Sequence, residues 1–102
     1  MSNIAELVRR AQAGDLGYYE EIVARFRASA FGRAFARLGD SHLAKDSVQE
    51  AFVEAHRNLG SLTAPKAFPT WFQKVVATAC DRMTRRKTLL IGPLSDASKT
   101  PE

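Results

Sequence analysis

Five side chains between Asp46 and Arg57 fall at positions i, i+3, i+4, i+7 and i+11: Asp46, Gln49, Glu50, Val53 and Arg57. At helical spacing they share one face, which runs from acid through amide and valine to base. A face that only has to be solvated usually carries long Lys and Glu side chains. A mixed face of this kind suits a partner helix, the acid and amide fixing register. It also suits an ordinary solvated surface, since single exposed valines are common. Spacing alone leaves both readings open.

A second set lies further along. Thr70, Gln73, Lys74, Thr78, Arg82, Arg85 and Arg86 form the polar side of the last helical segment, and Lys66 extends it into the preceding loop. Hydroxyls, an amide and cations in a row suit phosphate and base contacts along a single strand. Charge bookkeeping agrees. Residues 1–60 hold eight Lys/Arg and eight Asp/Glu, so the excess of +4 comes from residues 61–102, with seven Lys/Arg against three Asp/Glu. A basic end on a neutral body points to a polyanion. A solvated helix end whose cations complement the C-terminal dipole would show the same cluster. Trp71 and Phe72 are read as core residues rather than stacking platforms, because both lie on the apolar stripe.

Catalytic and metal-binding patterns are missing from the sequence. His42 and His56 stand 14 residues apart, with no cysteine or carboxylate at ligand spacing, so no metal and no cofactor is expected. Cys80 sits on an apolar stripe, where a small core residue belongs. There is no glycine-rich phosphate loop, and no nucleophile, base and orienting group combine, so the chain is not expected to be an enzyme or to take a small-molecule substrate.

Four helical segments position these residues. The first spans about Ile4 to Ala13, with Asn3 as cap and Glu6 placed for a capping box. The second follows Asp15 and runs to about Leu38. Its stripe is Tyr19, Ile22, Val23, Phe26, Ala30, Ala34 and Leu38, with Phe31 and Phe35 off the stripe, which predicts a second buried side or a partner. Gly39 stands at a C-cap position. The third starts after Asp40 or Ser41 and runs to about Leu59, burying Val48, Phe52, Ala55 and Leu59. A broken loop, Gly60 to Pro69, follows, with room for a short turn at Ala64–Phe68. The fourth spans about Pro69 to Lys87, with Phe68, Trp71, Phe72, Val75, Val76, Ala79, Cys80 and Met83 at strict helical period. The fold class is all-α, a compact bundle of three long helices plus a shorter N-terminal one. Residues 1–87 form the domain; residues 88–102 lose periodicity and read as a linker or disordered tail.

The bulk numbers fit one globular domain of 102 residues, 45% hydrophobic and 25% charged. No apolar run approaches the roughly 18 residues that span a bilayer, and the N-terminus lacks a signal pattern. With a single cysteine, these features place the chain in the cytoplasm.

Taken in order, ELVRRAQAGD, YYEEIVARF, LGDSHLAKDSVQEAFVEAHRNLGSL and AFPTWFQKVVATACDRMTRRK resemble region 2 of the bacterial sigma-70 family, in its extracytoplasmic-function (ECF) group. The resemblance runs from Glu6 to Lys87. Its most specific element is D-x-x-Q-E-x-F at Asp46–Phe52, preceded by L-G-D-x-x-x-A, with A-F-x-x-W and R-x-x-R-R in support. It implies a module for transcription initiation. The third helix would dock on the clamp helices of the largest subunit of core RNA polymerase through Asp46, Gln49, Glu50 and Val53. The loop and last helix would recognise and melt the promoter −10 element and hold its non-template strand. Ser61, Leu62, Thr63, Lys66 and Phe68 would form a pocket for a turned-out base, and Lys74, Thr78, Arg82, Arg85 and Arg86 would face the strand. Binding energy alone would drive this melting.

Two features depart from the family pattern. Thr78 stands where the family often has asparagine, and the family's acid falls one residue after Asp81. The family's second domain, which reads the −35 element, has no counterpart here. These departures leave an alternative: a helical interaction module that binds an anti-sigma-type regulator without DNA recognition. A membrane-surface role for the basic helix ranks last, since the core accounts for its aromatic stripe.

Overall fold

The computed structural model describes residues 3–99, with side chains as far as Leu89. Four α-helices follow one another: α1 Ile4–Gln12, α2 Leu16–Leu38, α3 Ser41–Asn58 and α4 Phe68–Lys99. Two 3-10 turns, Leu59–Ser61 and Pro65–Ala67, shape the loop between α3 and α4. The all-α class and the helix order are those the periodicity predicts.

Local chemistry sets the boundaries. Asn3 Oδ1 accepts from the Glu6 N–H at 2.8 Å, Asp15 Oδ1 from Gly17 at 3.0 Å and Asp40 Oδ1 from Leu43 at 2.9 Å, so the starts of α1, α2 and α3 each have a side-chain acceptor for an orphan donor. Of the two candidate caps of α3, Asp40 takes the role. Glu6 does not close the capping box. Its carboxylate turns forward to Arg10, 3.3 Å away, an i, i+4 pair on the surface of α1. Gly39 ends α2 in the left-handed conformation, φ 66°, and its N–H bonds Phe35 O at 2.8 Å.

The core joins all four helices. Leu7 and Val8 of α1, Ile22, Ala30 and Ala34 of α2, Ala44, Ala51 and Ala55 of α3 and Val76, Ala79 and Cys80 of α4 are buried. The many small residues on α2, α3 and α4 suit close helix packing. An aromatic cluster fills the lower half. Phe72 stacks on Phe52 (4.7 Å between ring centres) and on Phe68 (5.4 Å), and Phe26 meets Phe68 edge-on at 5.3 Å.

Helix α4 outruns its apolar stripe. The periodicity stops at Lys87, whereas the helix continues through Thr88 to Lys99, the stretch whose composition reads as a linker. Apolar period marks where a helix is buried, and a helix already nucleated propagates without it. Among the described residues, no helix is long and apolar enough to cross a membrane.

Candidate functional site

The loop between α3 and α4 is anchored from both ends. Gln12, the last residue of α1, donates from Nε2 to Leu59 O at 3.0 Å and to Leu62 O at 2.8 Å. Ser61 Oγ donates to Asn58 O at 2.7 Å. Leu62 and Phe68 point inward, Phe68 with no exposed surface at all. This corrects their assignment to a base pocket. Both apolar side chains gain more by joining the core than by lining a wet loop, and Phe68 completes the aromatic cluster. Thr63 and Lys66 remain exposed on the loop.

One groove gathers much of the remaining strand-facing set. Ser61 from the loop and Lys74, Thr78 and Arg82 from α4 line it, with Trp71 and Val75 of α4 and Glu54 and Asn58 of α3. Trp71 is half-buried rather than fully in the core: it leans on Phe68 at 5.7 Å and leaves part of its ring in the groove. The α3 contribution is absent from the sequence reading. Glu54 and Asn58 lie one and two turns beyond Glu50, and the i+4 step marks them, but only the crossing of α3 and α4 brings them to this groove. Asn58 Nδ2 donates to Glu54 Oε2 at 3.1 Å, and Arg57 lies 3.6 Å from the same carboxylate.

The Asp46–Arg57 face of α3 is largely exposed, with Val53 57% accessible. It borders two further grooves. Towards α4, Asp46, Gln49, Glu50 and Val53 meet Arg82, Met83 and Arg86. Towards α2, Val48, Gln49, Phe52 and Val53 face Val23 and Phe31, with Arg27 and Lys45 also in the lining. The second groove is chiefly apolar. Phe35 stacks beside Phe31 at 6.0 Å and is 45% exposed. The off-stripe phenylalanines of α2 therefore supply a surface adjoining the α3 face.

Arg86, which the sequence assigns to the strand, reaches across to α3. Its Nη2 reaches Glu50 Oε2 at 2.6 Å and lies 3.7 Å from Met83 Sδ. Arg85 is exposed on α4, and Asp81 is tied to Arg37 of α2 at 3.6 Å. Arg82 lines both α4 grooves and so links them.

Titration chemistry here is structural. A backbone N–H from Leu43 holds the Asp40 carboxyl below its usual range. Burial pushes the Tyr19 phenol and the Cys80 thiol up. Tyr19 donates its hydroxyl to Phe52 O at 2.5 Å, and Cys80 lies beside the buried Ser47 hydroxyl, which reaches hydrogen-bond geometry with no group among the described residues. Among the described residues, no three His, Cys, Asp or Glu side chains form a metal-binding cluster.

Comparison with known proteins matches residues 22–89 to the family model Sigma-70 region 2. The chain belongs to the sigma-70 region 2 family. The RNA polymerase sigma-H factor of Pseudomonas aeruginosa is 32% identical over 82 residues, 79% of this chain and 42% of that protein. The ECF RNA polymerase sigma factor SigM of Mycobacterium tuberculosis is 32% identical over 93 residues, 90% of this chain and 47% of that protein. The ECF RNA polymerase sigma-E factor of Escherichia coli is 38% identical over 72 residues, 68% of this chain and 36% of that protein. The chain thus spans less than half the length of these relatives. No solved structure matches it. The matched span contains the whole α3 face, the loop and the groove-lining part of α4.

Proposed function

We propose that this chain is the region 2 module of an ECF-type sigma factor. It binds core RNA polymerase through the exposed face of α3 and holds single-stranded promoter −10 DNA along the loop and α4. The observation that carries the reading is the groove in which Ser61, Trp71, Lys74, Thr78 and Arg82 meet. It combines a partly exposed aromatic ring with two cations and two hydroxyls, the groups that single-strand binding uses. The finer assignment places the clamp helices of the largest polymerase subunit against Asp46, Gln49, Glu50 and Val53. The apolar α2–α3 groove beside them supports a helical partner. The residues left to the DNA side are Ser61, Thr63, Lys66, Lys74, Thr78, Arg82 and Arg85. Function then consists of binding, with no catalytic step.

The regulator-binding alternative had Thr78 as its motive. Thr78 lies exposed in the same groove as Lys74 and Arg82, which fits a strand-facing role, so no specific observation favours that alternative.

The test is binding to purified bacterial core RNA polymerase, with Asp46→Ala/Gln49→Ala as control. Both side chains are exposed, so the double variant keeps its helical circular dichroism. Loss of binding in that variant supports the interface. Equal binding by both proteins, or none by the folded wild type, refutes it.

A further inference from the structure

Two charged groups assigned to different partners are joined in the fold. Glu50 belongs to the α3 docking face and Arg86 to the basic end of α4, yet they form a charge-assisted hydrogen bond at 2.6 Å across the α3–α4 seam. The arginine is drawn along that seam, its Nη2 3.7 Å from the sulfur of the buried Met83. At about 100° per residue, Lys74, Arg85, Thr78 and Arg82 span about 80° of α4, and Arg86 lies about 40° beyond Arg82, towards α3. The pair therefore holds in the seam the cation at the α3 edge of this set.

We propose that Glu50–Arg86 is a latch which withholds Arg86 from a single strand until a partner helix offers Glu50 another cation. This rests on the binding reading above. When a partner's arginine or lysine takes Glu50, Arg86 swings out from the seam to a phosphate. Reciprocally, a phosphate that captures Arg86 frees Glu50 for the partner, so each ligand strengthens the other by the same factor. Both side chains are partly exposed, 37% for Glu50 and 50% for Arg86, so the coupling is modest, about two- to fivefold. Arg82, which lines the grooves on both sides, provides a path for the phosphate contact to extend from the Trp71 groove to Arg86.

The experiment uses the full chain and a fluorescently labelled single-stranded oligonucleotide, with anisotropy titrations at several salt concentrations. Glu50→Gln breaks the pair without changing side-chain size. It should tighten binding about two- to fivefold and steepen the log–log salt slope by about 0.7, the value of one added single-strand phosphate contact. In an Arg86→Gln background the same Glu50→Gln change should do nothing. An equal gain in both backgrounds would mean that Glu50 acts only as a nearby negative charge, and the latch would be refuted. Weaker binding by Glu50→Gln would mean that Glu50 presents Arg86 to the strand, and would refute it too. If neither wild type nor Glu50→Gln binds the oligonucleotide, the strand-binding reading fails and the latch falls with it.

Discussion

Gln12 is the residue through which α1 controls the loop. Its amide places one N–H on Leu59 O and the other on Leu62 O, at 3.0 and 2.8 Å. Gln12→Ala removes two hydrogen bonds from a partly buried site. Each contributes about 1 kcal/mol net, and the two carbonyls regain some water, so the loss should be about 1–2 kcal/mol. For a domain of this size that lowers the melting temperature by about 5–15 °C. Gln12→Glu should cost more at neutral pH, because an ionised carboxylate would face two carbonyl oxygens with no proton to offer. Thermal melts by circular dichroism give the stability. Hydrogen exchange at the Leu62 N–H, which bonds Leu59 O at 3.1 Å, reports the loop itself. Both variants should speed that exchange and loosen the frame that carries Ser61, Thr63 and Lys66, so that a strand must order the loop as it binds. If neither variant changes the melt or the exchange, the loop is held by Leu62 and Phe68 alone and the pin has no role.

Three further outcomes follow from the geometry. Lys74→Gln with Arg82→Gln removes the two cations of the Trp71 groove and should flatten the salt slope of single-strand binding by about 1.4, measured by anisotropy; an unchanged slope would show that phosphates bind elsewhere. Phe72→Ala empties the centre of the aromatic cluster and should cost about 3–5 kcal/mol, visible as a large drop in urea midpoint, whereas a loss below about 1 kcal/mol would mean the cluster collapses around the gap. Asp40 has its carboxyl pKa depressed by the cap of α3, so its stabilisation is complete above the ordinary carboxylate pKa and is lost as pH falls through the lower folded value; Asp40→Asn should blunt that acid-side decline in pH-dependent melts.

The helices were legible because their determinants are local. Asn3, Asp15, Asp40 and Gly39 act within four residues of themselves, and the α4 stripe needs only a period of 3.6. The site was legible as two lists of residues but not as a surface. Glu50 and Arg86 are 36 positions apart, and nothing in their local sequence says that an α3 carboxylate and an α4 guanidinium meet. Leu62 and Phe68 misled because residues in a loop were assigned to its function, whereas apolar residues at loop ends often anchor it. Trp71 packs against the core as its place on the stripe predicts, but an apolar period reports which way a side chain points, not how far a large ring reaches beyond the seam.

The family match begins at residue 22, so α1 and the start of α2 lie outside it, yet they are not ornamental. Leu7 and Val8 are fully buried in the shared core, Gln12 pins the loop, and Tyr19 bonds the carbonyl of Phe52 on α3. Each contact ends on a segment that carries the proposed interface. The small buried residues Ala44, Ser47, Ala51 and Ala55 of α3, and Ala79 and Cys80 of α4, suit close approach of the two helices. Side chains as short as Glu50 can then span the seam to Arg86, and Arg82 can line the grooves on both sides of it. Closeness at that seam is what turns two separately readable faces into one continuous surface, with the proposed polymerase side and the proposed strand side sharing α3 and α4.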